Sequence, residues 1–377
     1  MKPRLEQLRW MLFLAAILIA GLAIASNLTS AALDNDAAAY ASRTHHMFNG
    51  DVPYLDFEFE HLPLAVVPML VIGAIERIVG VSYAVVLWAV MGVVLFGIGL
   101  TVNRLGRRLG VDGAAIRWLK ISWAILPLIA FRLDAVSVLL ALLALVLTIE
   151  GEDARSGWAL GAAIAAKGWP IVMAAVDWWR HRYRRAITTV IATAAGALVL
   201  TTLPLFRSGR EFFGVHIETV TGAITGLARL WLGTDPQVAT TAGASYVAVG
   251  TWAVVVNAAI GLAIGLSALR ALRTSFDWRR ATDLIGTLAI AVMLLSPLLS
   301  AQFVFWITPF AALTSSKKVR VGATASAILT GVFVTFWFSG YLWWWAVIVA
   351  RNIALVWTGW VWSLHVCADT EAPARAL

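Results

Sequence analysis

Between Ala31 and Leu62 the chain gathers Asp34, Asp36, Asp51, Asp56, Glu58 and Glu60 with His45, His46 and His61, against a single arginine, Arg43. A carboxylate can take the proton of an attacking hydroxyl, hold acceptor hydroxyls by hydrogen bonds, or ligate a hard cation. A connector between two helices needs only a few residues, and this stretch is about thirty long, with Tyr40, Phe48, Tyr54, Phe57 and Phe59 available to pack it down. Two readings stand: an acidic surface loop without chemistry, or a loop that carries an active site. His45 and His46 are adjacent and lack the i, i+4 spacing that sets two ligands on one helix face, so no metal site is expected.

Three further places put polar groups inside apolar sequence, where they are expensive and face a cavity or a partner. Arg132-Leu133-Asp134 lies between two apolar runs and suits either a local ion pair or a polar site. Lys167 stands before Gly168, Trp169 and Pro170, a setting for a broken helix opening on a polar cavity, or for a lysine that snorkels. Gln302 follows Ser300 and Ala301 and suits a helix-to-helix hydrogen bond or a ligand. A second polar stretch offers Arg207, Arg210, Glu211, His216, Glu218 and Trp231. Arginine reads phosphate well, aromatic faces stack on apolar groups, and interface anchoring explains the same aromatics. Walker loops, GxSxG and HExxH are absent, and the lone Cys367 excludes an intrachain disulfide or a multi-cysteine metal site.

The elements that position these groups are set by composition. Hydrophobic residues make up 60% of the 377 and charged residues 13%, where a soluble domain carries roughly 25% charged. Apolar runs of about 17 to 25 residues recur, each long enough to cross a hydrocarbon core as a helix, and the period-two alternation of a membrane barrel is missing. The expectation is one all-α, polytopic domain over 1–377 with about 12 (10–12) transmembrane helices. Candidate crossings are 10–28, 63–79, 81–102, 116–131, 134–149 and 157–177, then 187–205, 245–269, 283–298, 300–314, 321–338 and 341–364.

The net charge of +8 comes from short basic clusters between apolar runs, which marks cytoplasmic loops rather than nucleic acid. Lys2, Arg4 and Arg9 before the first run set the N-terminus in the cytoplasm, and that run is expected to be retained as a helix. Alternation then puts 29–62 and 206–244 outside, and the clusters at 180–185, 270–280 and 317–320 inside. Arg104, Arg107 and Arg108 break the scheme. Either 63–79 and one segment within 116–177 are re-entrant, or these arginines are external and meet anionic lipid.

The motifs DAAAY at 36–40, NGDVPYLD at 49–56 and EFEHLPL at 58–64 resemble the pattern D-x-x-x-Y, G-x-x-P-Y-x-D, E-Y-P-P-L. That pattern belongs to polytopic GT-C glycosyltransferases of the family 87 type, which include actinobacterial polyprenyl-phosphate-mannose-dependent mannosyltransferases. RLD at 132–134, GAAIAAKGWP at 161–170, HIETV at 216–220 and SAQFVFWITP at 300–309 are similar to further family blocks, in the same order. His61-Leu62-Pro63 replaces the tyrosine-proline-proline run, and Ala301 replaces a proline before Gln302.

The resemblance implies a GT-C-like fold in the bacterial cytoplasmic membrane, with the site on the extracytoplasmic side. It implies a polyprenyl-phosphate sugar donor, a glycolipid or polysaccharide acceptor, surrounding membrane lipids and no cofactor. It implies one early acidic residue as base: Asp36, with Asp34 in reserve. Tyr40, His45, His46, Glu58, Glu60, His61, Arg132, Asp134, Lys167, His216 and Gln302 are the expected binding residues. The alternative function is a flippase or transporter of a lipid-linked or small polar substrate, for which intramembrane Arg132, Asp134 and Lys167 also suit. Inverted symmetry between halves would favour it, and the sequence has none.

Overall fold

The computed structural model describes residues 9–17, 19, 31–57, 59, 61–180, 188, 215–216, 218–241, 244–247, 249, 251–273, 275–296, 299–336 and 341–368. Residues 9–17 are helical, and the labelled helices begin with α1 (Ala31–Phe48), α2 (Val66–Val79), α3 (Tyr83–Arg108) and α4 (Ala114–Ser122). Next come α5 (Leu126–Ile129), α6 (Asp134–Ile149), α7 (Asp153–Ala166), α8 (Ala174–Trp179) and α9 (Val220–Trp231). The series closes with α10 (Thr251–Leu269), α11 (Trp278–Leu295), α12 (Val304–Leu313), α13 (Lys317–Thr335) and α14 (Leu342–Ala368).

The chain is mainly helical, as its composition requires. Among the described residues one small antiparallel sheet interrupts it: β1 (Val215–His216), β2 (Val238–Thr241) and β3 (Ala244–Val247), in the order β1-β3-β2. Its strands are rich in valine and threonine, which favour extended backbone, and they sit in or beside the expected 206–244 loop. Among the described residues, three helical stretches are long and apolar enough to cross a membrane: Tyr83–Arg108, Trp252–Arg273 and Leu342–Ala368. Asp134–Ile149 and Ala301–Leu313 are apolar but shorter. The expected crossings at 10–28 and 187–205 fall largely outside the described residues.

Contacts divide the chain into two compact units, one built from 1–105 and 126–211, the other from 106–125 and 212–377. In the first, α1 ends where Gly50 takes φ +97°, the left-handed position that favours glycine at a helix C-terminus. Side by side and in the same direction as α1 runs α2. Arg77 lies 3.9 Å over the Phe48 ring, and Glu76 meets His45 at 3.2 Å and accepts the Tyr83 amide N–H at 3.1 Å. Thr44 donates to the Tyr83 hydroxyl at 3.2 Å, so α3 starts beside α1. The 14 residues of α2 rise only about 21 Å, short of a hydrocarbon core of roughly 30 Å. With 26 residues, α3 runs about 39 Å. It passes Leu139 of α6 at Gly97 and ends where Arg104 grips Glu150 with two hydrogen bonds of 2.9 and 2.6 Å.

In the second unit α14 packs against α9, α10, α11 and α13. Close approach depends on absent side chains: Trp345 covers Gly226, and Trp362 covers Gly286. Small residues at helix contacts serve this purpose in membrane proteins.

The α1–α2 contact has the same dependence, since a Cβ on Gly73 would press on the Thr44 methyl and the Phe48 ring. Gly73→Val is expected to lower stability by about 1–3 kcal/mol through overpacking. Thermal unfolding in detergent measures this, and a variant as stable as wild type would show that α1 and α2 do not meet there.

Candidate functional site

Four charged side chains come together in the first unit. Asp36 of α1 is in ion-pair contact with Arg132, which lies between α5 and α6. Two residues on, Asp134 opens the first turn of α6 and meets Lys167 at 3.4 Å. The Asp134 side chain is 4% exposed and that of Lys167 26%, so the lysine turns to a buried carboxylate. Asp134 also sits at a helix N-terminus, where the macrodipole favours a negative charge.

Local sequence explains how each is presented. A continued helix would set Pro170 four residues after Ala166, where its ring clashes with that carbonyl and supplies no N–H to it. Accordingly α7 stops at Ala166, Lys167 is extended at φ −159° and ψ 124°, and a 3-10 turn resumes over Trp169–Met173. The break expected from the glycine and proline is present, and it is what leaves Lys167 pointing away from a helical ladder. On α1 the i, i+4 spacing puts Asp36 and Tyr40 on one face.

A small recess is lined by Tyr40, His61, Ala65, Pro68, Leu133, Asp134, Val136, Ala166 and Lys167. Its roof is held by the aromatic loop. Tyr54, in a left-handed conformation at φ +70°, donates its hydroxyl to the His61 carbonyl. Phe59 is fully buried, edge-on to Tyr54 at 5.1 Å and to His61 at 5.6 Å. The His61 ring stands 5.3 Å from that of Tyr40. Burial, and after it the positive charges of Lys167 and Arg43, push the His61 imidazole down to about 3. It is therefore a neutral ring at ordinary pH. Burial likewise raises the Tyr54 phenol, which stays a donor.

Other expected residues lie elsewhere. His45 pairs with Glu76, and His46 meets Asp51 at 2.7 Å and stacks on Phe57; both histidines are exposed and neither lines the recess. Glu58 and Glu60 lie outside the described residues, as does the side chain of Asp34.

His216 and Gln302 belong to the second unit. His216 is buried; its Nδ1 accepts the Glu218 amide N–H at 3.4 Å and its carbonyl accepts the Thr219 hydroxyl at 2.9 Å. Burial, then the charge of Arg351, lower it to about 4. Gln302 accepts from the Ser300 hydroxyl at 2.6 Å, a local bond rather than one between helices. Sequence reasoning passed over Arg351 and Asn352. Arg351, fully buried, reaches Glu218 at 3.4 Å and its carbonyl at 2.6 Å, and Asn352 donates to the Glu218 and Thr219 carbonyls. Their signal was a charge in the middle of an apolar run.

Among known proteins, the family model of glycosyltransferase family 87 matches residues 61–301, well over half of the chain. No curated protein and no solved structure matches.

The depressed His61 gives a pH signature. Its unfolded value of 6.5 lies above its folded value of about 3, so between the two the unfolded chain binds more protons and stability falls as pH falls. His61→Phe is expected to flatten that loss between pH 6.5 and 3. Denaturation midpoints across the window test it, and identical slopes in the two proteins would remove His61 as a source.

Proposed function

Because the chain belongs to glycosyltransferase family 87, we propose that it moves a sugar, most simply mannose, from a polyprenyl-phosphate donor to an extracytoplasmic glycolipid or polysaccharide. In this reading it is a multi-pass protein of the bacterial cytoplasmic membrane, with the Asp36 loop on the outer face. The three helices of spanning length among the described residues support the membrane setting, and the recurring apolar runs support about twelve crossings.

Asp36 takes the proton of the acceptor hydroxyl. The hydroxyl oxygen bonds to the anomeric carbon as the bond from that carbon to the phosphate oxygen breaks, its electron pair leaving with the lipid phosphate. A phosphate leaves without being protonated, so one carboxylate suffices. Single displacement inverts the anomeric centre. Arg132 and Lys167 meet the charge that grows on the departing phosphate. Glu58 and Glu60, in the same loop, serve acceptor hydroxyls. The parts of His216 and Gln302 rest on the family blocks in which they stand.

The observation that carries this reading is the meeting of Asp36 with Arg132, two residues from the Asp134–Lys167 pair. A carboxylate able to act as base and two cations able to meet phosphate are thereby gathered on adjoining elements, in a chain whose family transfers sugars.

Asp36→Asn keeps the shape of the side chain but cannot accept a proton. Sugar transfer from a radiolabelled polyprenyl-phosphate mannose is expected to fall about 10²- to 10⁴-fold, with donor binding retained. Asp34→Asn is the control: a dead Asp34→Asn beside an active Asp36→Asn would move the base to the other carboxylate.

Turnover is also expected to survive EDTA, since a monophosphate presents little charge and arginine and lysine can meet it. Activity lost to the chelator and restored by one added metal would overturn this.

A further inference from the structure

We propose that Arg132 is a donor-responsive latch on Asp36: it occupies the carboxylate until a lipid phosphate draws it away, so the base is uncovered only when the donor is in place. The inference rests on Asp36 being the base, and adds an order of events to it.

In the structure one oxygen of the base is already engaged. A carboxylate oxygen in contact with a guanidinium has committed a lone pair that an acceptor hydroxyl would need. The neighbouring charges are matched in the same way, Asp134 against Lys167 at 3.4 Å. An incoming phosphate adds negative charge to a place where two carboxylates already hold two cations. With Arg43 acting from beside His61, that charge is met most directly when one of these paired cations changes partner.

Arg132 is the one suited to do so. Its planar fork matches phosphate oxygens in a bidentate way, better than it is used by one carboxylate. It stands on the short connection between α5 and α6 rather than inside a helical ladder. Lys167 is tied to a carboxylate that is only 4% exposed, and separating it would strand a buried charge at a large penalty. Asp36 is carried by α1, which Thr44 and Tyr40 pack in place. The exchange therefore moves the arginine and leaves the base where it is.

The same exchange resets the site. After transfer Asp36 holds the acceptor's proton and the lipid phosphate holds Arg132. When the lipid phosphate departs, Arg132 returns, and the proton on Asp36 passes to water as the ion pair reforms. An acceptor arriving before the donor finds the carboxylate already engaged, which prevents a lone hydroxyl from being activated without a sugar to receive it.

The test is carboxylate labelling of the purified full-length protein with a water-soluble carbodiimide and an amine, read at Asp36 by peptide mass spectrometry. The probe is a short-chain polyprenyl phosphate carrying no sugar. In wild type the probe is expected to raise Asp36 labelling at least about threefold, in keeping with loss of a part-exposed ion pair. Arg132→Gln is expected to label at the raised rate without it. Unchanged or reduced labelling of wild type on adding the probe overturns the latch, and that measurement stands even if Arg132→Gln fails to fold. An equal rise with inorganic phosphate at the same concentration overturns the link to the donor. Asp36→Asn separates the two ideas: if it still transfers sugar the base assignment falls, whereas if it is inactive and wild-type labelling ignores the probe, only the latch falls.

Discussion

A charge removed from water must find an opposite charge, and in the first unit the pairing of Asp134 with Lys167 meets that demand. Removing one partner of a buried pair typically costs about 3–5 kcal/mol, so the start of α6 and the broken end of α7 are bound to each other by more than packing. The remainder of the site follows from that junction. Because Arg132 lies two residues ahead of Asp134, fixing the start of α6 also fixes where the guanidinium emerges, and α1 supplies Asp36 to meet it. The aromatic loop then closes over the recess, with the Tyr54 hydroxyl and the Phe59 ring holding His61 against Tyr40.

The same demand shapes the second unit. Arg351 sits fully buried about a third of the way along α14, a position tolerable only because Glu218 offers both a carboxylate and a carbonyl. Asn352 adds two bonds to neighbouring carbonyls. The turn from His216 to Thr219, which caps α9 through the Thr219 hydroxyl, is thus fastened to a helix more than a hundred residues away in sequence. Mutual need between a helix that cannot leave an arginine bare and a turn with spare acceptors explains why a polar segment is so well enclosed.

Much of this was legible in the residues. The break at Lys167 followed from Gly168 and Pro170, whose effects on the backbone are local and need no knowledge of the rest of the chain. The acidic, aromatic character of 31–62 marked it as more than a connector, and the order of the family blocks pointed to a family that the match over 61–301 bears out. Partners were not legible. Arg132 and Asp134 stand two apart, and nothing in that spacing says that each reaches across to another element. The shortness of α2 was also hidden, because hydropathy reports that a segment is apolar and says nothing about where its helix begins and ends. Arg351 escaped notice because fifteen apolar neighbours outvoted it in any average along the chain.

That short helix changes the arithmetic of sides. A segment that does not span contributes nothing to parity, and the 14 residues of α2 rise only about 21 Å, short of a hydrocarbon core of roughly 30 Å. The long traverse of α3 is then what first separates the Asp36 loop from Arg104, which it delivers to the far end with Arg107 and Arg108 in its last turn. Counted as a crossing, α2 strands these arginines on the acidic side; counted as a loop that dips and returns, it sends them to the opposite one. Charge bias around the Asp36 loop therefore hangs on how a single helix of 14 residues is counted, not on the charges themselves.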